Sequence, residues 1–258
     1  MKVPGGRVPC ISFGRGKKPL VMLPGLRLSD IRGSSKLVAW YYRLFAKEYT
    51  VYMIDRKDSI RKGADNRSLA EDTAAVMKRL KLRDVYLFAA SQGGMIAQEL
   101  AIRHPELVKK LVLGVTLSRS NDTVRAVIAH WKELAATSGL AAVAEDYMYK
   151  GFSEKYIKKN RLVIPLALKL QRLMPARRFI TLAEACLTCE TYDELDKLKC
   201  PVLVLGGGRD KVVTGEASRE IAERLSCPCH IYEDLSHEAY NEAKDFNKRI
   251  YDFFADGK

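Results

Sequence analysis

Two kinds of hydrophobic pattern alternate along most of this chain. Continuous apolar runs, typical of parallel strands covered on both faces, lie at residues 20–23, 50–54, 85–89, 111–115 and 200–205. Apolar positions at helical spacing predict helices at residues 34–47, 68–80, 95–104, 216–225 and 238–254. Shorter runs at residues 11–13 and 229–233 predict an edge strand and a last strand. The alternation indicates an α/β fold with a mostly parallel central sheet flanked by helices.

Between residues 118 and 195 this alternation stops. Helical periodicity continues there without a clear strand, and it predicts four or five helices, over residues 124–135, 141–149, 154–159, 162–173 and 175–186. Such a stretch does not fit a simple alternating sheet. We predict an inserted helical cap at residues 118–195, packed over the strand ends of an α/β core formed by residues 1–117 and 196–258.

Local signals refine two of the predicted helices. Ser68 and Glu71 have the Ser-x-x-Glu spacing of a capping box, so we expect a helix to begin at Ser68. Pro105 follows His104 and should end the helix that begins near residue 95. This position predicts a structural role for His104.

The strand at residues 85–89 leads directly into Ala89-Ala90-Ser91-Gln92-Gly93, with a helix beyond. A sharp turn from strand to helix forces strained backbone geometry on the central residue and exposes its side chain. Small residues are needed two positions to either side, and Ala89 and Gly93 meet that need. The N–H of Gln92 would lie in the first helical turn, where unpaired amides can hold an oxyanion. A serine that only caps a helix is the alternative interpretation.

This elbow resembles that of the α/β-hydrolase superfamily, with Ala89 in place of the usual first glycine. The resemblance extends over roughly residues 8–118 and 195–256 and implies the α/β-hydrolase fold. In the family, the loop after the strand at 20–23 starts with His-Gly, and the next residue donates a second oxyanion N–H. Here that loop reads Pro24-Gly25-Leu26, so the resemblance implies the backbone N–H of Leu26, although a plain strand-end turn is the alternative. Asp55-Arg56, after the next strand, also resembles the family and is assigned no catalysis.

The resemblance further implies that the helical cap forms the roof of a substrate pocket. Candidates to line this pocket are Leu140, Met148, Leu166, Leu170 and Met174. For each of them, ordinary packing between helices is the alternative.

A serine hydroxyl needs a base to take its proton, and the base needs a carboxylate to orient it. The chain supplies Ser91, Asp210 and His237 after strand ends, in the order that hydrolases with this elbow use. Asp210 follows the strand at 200–205, and His237 lies in the last loop before the closing helix. Asp122 and, less favourably, Asp234 are rival acids. His130, on a predicted cap helix, and His230, within a strand, do not compete as the base.

Composition is that of an ordinary globular protein, with 47% hydrophobic and 29% charged residues, but the net charge is +13. Nine basic residues and only one acidic residue, Glu154, lie between positions 150 and 180. Such a patch can attract anionic substrates, a membrane surface or nucleic acid, and solvated helix faces are the alternative. No nucleic-acid motif accompanies it, so we expect no nucleic-acid partner.

The remaining features indicate a cytoplasmic protein. No apolar signal core follows Met1, and no run is long enough to span a membrane, so we expect no integral membrane association. The six cysteines lack the paired spacing of a zinc site, so we expect reduced structural thiols, no metal and no cofactor.

Together these features predict a serine hydrolase that cleaves a small-molecule carboxylic ester or thioester through an acyl-enzyme on Ser91. The basic cap favours an anionic acyl group. The same triad can also serve acyl transfer, C–C bond hydrolysis, peptidase or cofactor-free perhydrolase chemistry, and a ligand-binding protein with a vestigial site is a further alternative. The sequence leaves the oligomeric state open.

Overall fold

A mostly parallel β-sheet forms the centre of the protein, as seen in a computed structural model that describes residues 1–256. The strands within these residues are β1 (Lys2–Val3), β2 (Gly6–Arg7), β3 (Cys10–Phe13), β4 (Lys18–Leu23), β5 (Tyr49–Ile54), β6 (Val85–Ala90), β7 (Val108–Gly114), β8 (Val202–Gly207) and β9 (Cys229–Tyr232). The first two pair as a separate hairpin, and the other seven form one sheet in the order β3-β5-β4-β6-β7-β8-β9. Only the edge strand β3 is antiparallel to its neighbour. This arrangement confirms the predicted fold class.

Helices cover both faces of the sheet, because successive side chains of a buried strand point to opposite sides. On one face of the sheet, Leu87 and Leu111 pack under the second, third and ninth helices. On the other face, Tyr86 and Val112 pack under the first and last helices. The helices are α1 (Ser35–Tyr41), α2 (Asn66–Arg79), α3 (Gln92–Arg103), α4 (Asp122–Thr137), α5 (Leu140–Gly151), α6 (Glu154–Asn160), α7 (Ile164–Leu170), α8 (Ala176–Cys186), α9 (Gly215–Leu225), α10 (Ala239–Glu242) and α11 (Phe246–Ala255).

The sequence predicts four or five helices between residues 118 and 195, and the structure has five there, α4 to α8. Among the described residues of this stretch, the β structure is limited to an isolated bridge between Arg119 and Glu190. Val127, Trp131 and Phe179 form a separate apolar cluster there, which also takes in Met95 of α3. The division of the chain into a core and a cap at residues 118 and 195 remains a prediction.

Arg178 of α8 connects these helices to the loop after β5. Its guanidinium donates to the backbone carbonyls of Arg56, at 3.1 Å, and Asp58, at 3.0 Å, and also to that of Lys57. One of the nine basic residues between positions 150 and 180 therefore has a structural role.

Three predicted helix boundaries are wrong. Helix α2 is capped by Asp65 and not by Ser68: the Asp65 carboxylate accepts from the Ser68 N–H at 2.8 Å, and Ser68 Oγ accepts from the Asp65 N–H at 3.1 Å. The helix predicted at 34–47 stops at Tyr41 and continues only as a 3-10 turn, because the chain must turn to bury Phe45 before entering β5. The closing helix divides into α10 and α11, since Ala243 has an extended ψ of 121°.

All six cysteines have free thiols. Burial raises the pKa of Cys186 to about 12, so this thiol stays protonated near neutral pH. Within residues 1–256, no helix combines the length and the apolar composition needed to cross a bilayer.

Close packing between α3 and the end of β4 generates a first prediction. A Cβ at Gly93 would lie 2.2 Å from the Leu23 carbonyl oxygen and 2.7 Å from that of Pro24, so backbone would have to move. We expect Gly93→Ala to lower the free energy of unfolding by about 1–3 kcal/mol, measured by urea denaturation. Gly33→Ala is the matched control, because a Cβ there meets no atom within 4 Å. Equal stability of the two variants would contradict the packing argument.

Candidate active site

The turn between β6 and α3 holds Ser91 in a conformation that L-residues rarely adopt. Its φ is 52° and its ψ is −125°. The Ser91 N–H donates to the Gly114 carbonyl at 2.9 Å, and Thr116 Oγ1 donates to the Ser91 carbonyl at 2.8 Å. These bonds to the end of β7 compensate the backbone strain, which is of order 1–3 kcal/mol for such a residue. The side chain is thereby directed away from both β6 and α3.

The structure brings Ser91, His237 and Asp210 into one hydrogen-bonded row. Ser91 Oγ lies 2.9 Å from His237 Nε2, and His237 Nδ1 lies 2.7 Å from Asp210 Oδ2. All three residues are buried. Because the carboxylate can only accept, Nδ1 carries a proton and Nε2 is left to accept from the serine hydroxyl.

Backbone amides orient the Asp210 carboxylate. Its Oδ1 accepts from the N–H groups of Val212, at 2.7 Å, and Val213, at 3.0 Å, in the loop after β8. This leaves Oδ2 for the imidazole. The orientation of the base therefore depends on the fold of one short loop.

The rival residues lie elsewhere. Asp122 is a fully exposed residue whose carboxylate accepts from Arg125, and Asp234 is an exposed partner of Arg209. His130 faces Asp146 at 3.5 Å, and His230 packs against Tyr232 within β9. His104 ends α3 and faces Glu71 at 3.1 Å, in agreement with a structural role.

Two backbone N–H groups adjoin the serine. Gln92 is the first residue of α3, and its N–H has no acceptor within residues 1–256. Leu26 lines the same small pocket as Ser91 and His237. Its neighbour Gly25 approaches closely, since a Cβ at that position would lie 3.6 Å from Ser91 Oγ. The residues that carry these two N–H groups therefore adjoin Ser91.

Two adjoining cavities lead to this row. The inner one is a pocket of about 20 Å³ that contacts Ser91 and His237. The outer one measures about 430 Å³ and does not contact Ser91. Both share Gly25, Leu26, Trp131, Tyr147 and Tyr240 as walls. The Ser91 and His237 side chains thus line the inner pocket, and the larger outer cavity adjoins it.

Glu238, directly after the base, is a buried carboxylate in the wall of the outer cavity. It accepts hydrogen bonds from Tyr240 Oη, at 2.8 Å, and from Tyr147 Oη and Asn241 Nδ2. Burial, together with the charge of Glu238, raises the pKa of both tyrosines well above 10. The hydroxyls therefore remain protonated and able to donate.

The charge of Glu238 also acts on the base. Burial disfavours the charged imidazolium and lowers the pKa of His237, but the charge of Asp210, its hydrogen bond and the charge of Glu238 outweigh burial. The pKa of His237 consequently lies above its ordinary value of 6.5. The ring of Tyr147 packs edge-on against the imidazole, with the ring centres 6.4 Å apart.

The end of α5 is joined to the loop that carries the base. Ser236 Oγ donates to the Lys150 carbonyl at 2.7 Å, and the Glu238 N–H donates to the Gly151 carbonyl at 2.7 Å. Ser153 adds two bonds to the carboxylate of Glu242, at 2.8 and 2.5 Å. Movement of α5 would therefore also move the surroundings of His237.

Sequence reasoning identified only part of the cavity wall. Met148 lines the outer cavity as predicted, whereas Leu166 and Leu170 face solvent and Leu168 takes their place. Leu140 is buried among the helices, and Met174 packs beside them. Glu238, Tyr147 and Trp131 were missed, although an acidic residue directly after the predicted base was a usable signal.

Comparisons with known proteins are consistent with this geometry. The family described as "Serine aminopeptidase, S33" matches residues 32–244. A putative carbamate hydrolase, RutD, of Rhizobium rhizogenes is 23% identical over 235 residues, covering 87% of this chain and 90% of the relative. A putative non-heme haloperoxidase of Mycobacterium phage D29 is 26% identical, covering 85% and 81%. The crystal structure of the enol-lactonase from Burkholderia xenovorans superposes with a TM-score of 0.85 at 21% identity, covering 98% of each chain.

A second prediction concerns pH. If His237 acts as the base, it must be neutral, so kcat/KM should rise with pH through a pKa above 6.5. Glu238→Gln removes the negative charge that stabilises the imidazolium, and the rise should move to lower pH. Asp234→Asn is the matched control, because that carboxylate is exposed and paired with Arg209. Identical pH profiles for wild type and Glu238→Gln would contradict the electrostatic role.

Proposed function

The chain belongs to the serine aminopeptidase S33 family of α/β hydrolases, and from that premise we propose that it cleaves a carboxylic ester or thioester through an acyl-enzyme on Ser91. The observation that carries the proposal is the row Ser91–His237–Asp210, with distances of 2.9 and 2.7 Å. A base, an orienting carboxylate and a strained, outward-directed serine are the parts that nucleophilic acyl transfer needs.

The proposed reaction has two steps. Ser91 Oγ attacks the carbonyl carbon while His237 Nε2 takes the hydroxyl proton, and Asp210 steadies the resulting imidazolium. The N–H groups of Gln92 and Leu26 receive the oxyanion, and each such donor is worth about 3 kcal/mol in the transition state. His237 then protonates the leaving oxygen or sulfur. In the second step His237 takes a proton from water, the hydroxide attacks the acyl carbon, and the acid leaves as Ser91 regains its proton.

The shape of the cavities supports an acyl substrate of moderate size. The inner pocket has room for little more than the reacting carbonyl, and the outer cavity of about 430 Å³ has a mostly apolar wall. Its apolar lining includes Met22, Val38, Phe88, Met148 and Phe179. An apolar acyl or alcohol group is therefore the part we assign to the outer cavity.

The position of Arg27 favours a substrate that carries an anionic group. Its side chain lines the outer cavity, and Nε donates to the Ser29 carbonyl at 3.1 Å. Within residues 1–256 it has no acidic partner closer than 4.0 Å. The opposite charge in the same wall, Glu238, already receives three hydrogen bonds. The guanidinium of Arg27 should therefore make the cavity prefer an anionic substrate group.

A second candidate uses the same row with a different acyl acceptor. The likeness to a putative haloperoxidase favours perhydrolysis, in which hydrogen peroxide replaces water in the second step. That chemistry needs no additional side chain. Product analysis with peroxide present in the assay distinguishes it from plain hydrolysis.

The nucleophile can be tested directly. Ser91→Ala should abolish covalent labelling by a fluorophosphonate and reduce ester hydrolysis to background, because within residues 1–256 no other hydroxyl forms a hydrogen bond with His237 Nε2. Ser59→Ala, an exposed serine, is the matched control and should label normally. Undiminished labelling of the Ser91→Ala variant would refute the proposal.

Charge preference gives a further prediction. Arg27→Gln should lower kcat/KM for an ester with a carboxylate on its acyl group about tenfold, as expected for the loss of one charge-assisted hydrogen bond. The neutral ester of the same size should be affected little. Arg27→Lys retains the charge and should keep most of the preference. Equal losses for the neutral and anionic esters would remove Arg27 as the recognition group.

A further inference from the structure

Exposed apolar side chains are concentrated at the mouth of the outer cavity. Of the nine large hydrophobic residues exposed within residues 1–256, seven lie in two segments, which we call the mouth segments: residues 37–44 and 162–170. Their members are Leu37, Trp40, Leu44, Leu162, Val163, Leu166 and Leu170. Leu37 and Leu168, one from each segment, line the outer cavity. Both segments therefore contribute to the wall of the same cavity.

Helix α7 is apolar on two sides. Ile164 and Leu168 are half-buried, and Leu168 faces the cavity. Leu166 and Leu170 lie four residues apart on another face, with 58% and 72% of their surface exposed, and Leu162, in the turn just before α7, is 84% exposed. No residue of α7 is buried. Within residues 1–256, nothing covers these leucines.

Leu37, Trp40 and Leu44 repeat this arrangement on the other side of the mouth. Leu37 and Trp40 are three residues apart on α1, Leu44 lies in the 3-10 turn that follows, and 65%, 60% and 41% of their surfaces are exposed. Arg43 stacks over the Trp40 ring at 4.7 Å and donates to its carbonyl. The exposed apolar surface thus continues across the opening and includes a tryptophan.

Unpaired cations surround this surface. Around α7 six basic side chains are exposed and take part in no ion pair within residues 1–256: Lys155, Lys158, Lys159, Arg161, Lys169 and Arg172. Glu154 is the one acidic residue between positions 152 and 180, and none occurs between 31 and 47. Lys36, Arg43 and Lys47 add exposed cations on the other side. The mouth segments therefore contain no acidic residue, and the residues that flank them are predominantly basic.

This combination is complementary to an anionic lipid surface. Helices that lie in a membrane interface carry leucine or tryptophan on one face and lysine or arginine beside it. A second copy of the chain is a poor occupant, because an isologous contact would bring the same unpaired cations together. Nucleic acid would match the charge but leave the leucines in water.

We propose that the mouth segments dock on the surface of an anionic bilayer, so that the outer cavity opens toward the lipid. The docking depends on the surface alone. The additional conclusion, that an amphiphilic ester enters from the bilayer, rests on the function proposed for Ser91. Docking brings the opening to the interface, where the ester linkage of an amphiphile is located.

Vesicle flotation with the full chain tests the docking. The protein should float with vesicles of mixed phosphatidylcholine and phosphatidylglycerol, float much less with phosphatidylcholine alone, and be released by salt. Trp40 provides a second measurement, because the other tryptophan, Trp131, is buried. Its emission should shift to shorter wavelength with the anionic vesicles, and Trp40→Phe should lose that shift.

Matched variants identify the surface. Lys158→Gln with Lys159→Gln should lower partitioning onto anionic vesicles about thirtyfold. Arg83→Gln with Lys199→Gln removes the same charge from residues just before β6 and β8, at the opposite edge of the sheet, and should lower it no more than about twofold. Leu166→Ser with Leu170→Ser should lower it at least about tenfold, with an unchanged circular dichroism spectrum.

Three outcomes would overturn the proposal: no partitioning onto anionic vesicles, equal partitioning onto neutral ones, or a dimer in solution that Leu166→Ser with Leu170→Ser dissociates. The Ser91→Ala variant distinguishes the docking proposal from the catalytic proposal. This variant should float like wild type, because docking does not involve the nucleophile. A protein that hydrolyses soluble esters but never floats would retain the proposed chemistry and lose the docking.

Discussion

The site depends on the close approach of helix α3 to the end of strand β4. Gly93 allows that approach, since any Cβ there would overlap the Leu23 carbonyl oxygen. The same approach forces Ser91 to a φ of 52° and directs its hydroxyl away from the sheet. It also brings the loop at Gly25 and Leu26 beside the first turn of α3. One steric constraint therefore positions the proposed nucleophile and both proposed oxyanion donors.

Charge interactions and hydrogen bonds around His237 connect the turn at Ser91 to the helices of the 118–195 stretch. His237 lies between Asp210, which the amides of the loop after β8 orient, and the neighbouring carboxylate of Glu238. Glu238 in turn receives a hydrogen bond from Tyr147 of α5. A helix of the 118–195 stretch thus contributes to the charge and packing around the imidazole. Its position affects the protonation of the proposed base as well as the shape of the cavity.

Helical spacing gave the positions of α4 to α8 but not the environment of their side chains. Leu166 and Leu170 are four residues apart on α7, and Leu168 is four residues from Ile164. Of these residues only Leu168 faces the cavity. Leu37 and Trp40 likewise share one face of α1, and that face is exposed. Periodicity states which residues lie on the same side of a helix, whereas the neighbouring elements decide what covers that side. The uncovered stripes at the mouth follow from this difference.

The sequence by itself determined the α/β fold, the strand–turn–helix at Ser91 and the order Ser91, Asp210, His237, because each depends on a local pattern or on the order of strand ends. Local patterns failed at helix starts and breaks, where Asp65 competed with Ser68 as the cap and the closing helix divided at Ala243. Only the tertiary structure decided that Asp210 and not Asp122 meets the imidazole, that Glu238 is buried beside it, and that Arg27 faces the cavity without an acidic partner among residues 1–256. These facts arise from contacts between residues far apart in the chain, and such contacts depend on how whole elements pack, which spacing along the chain does not record.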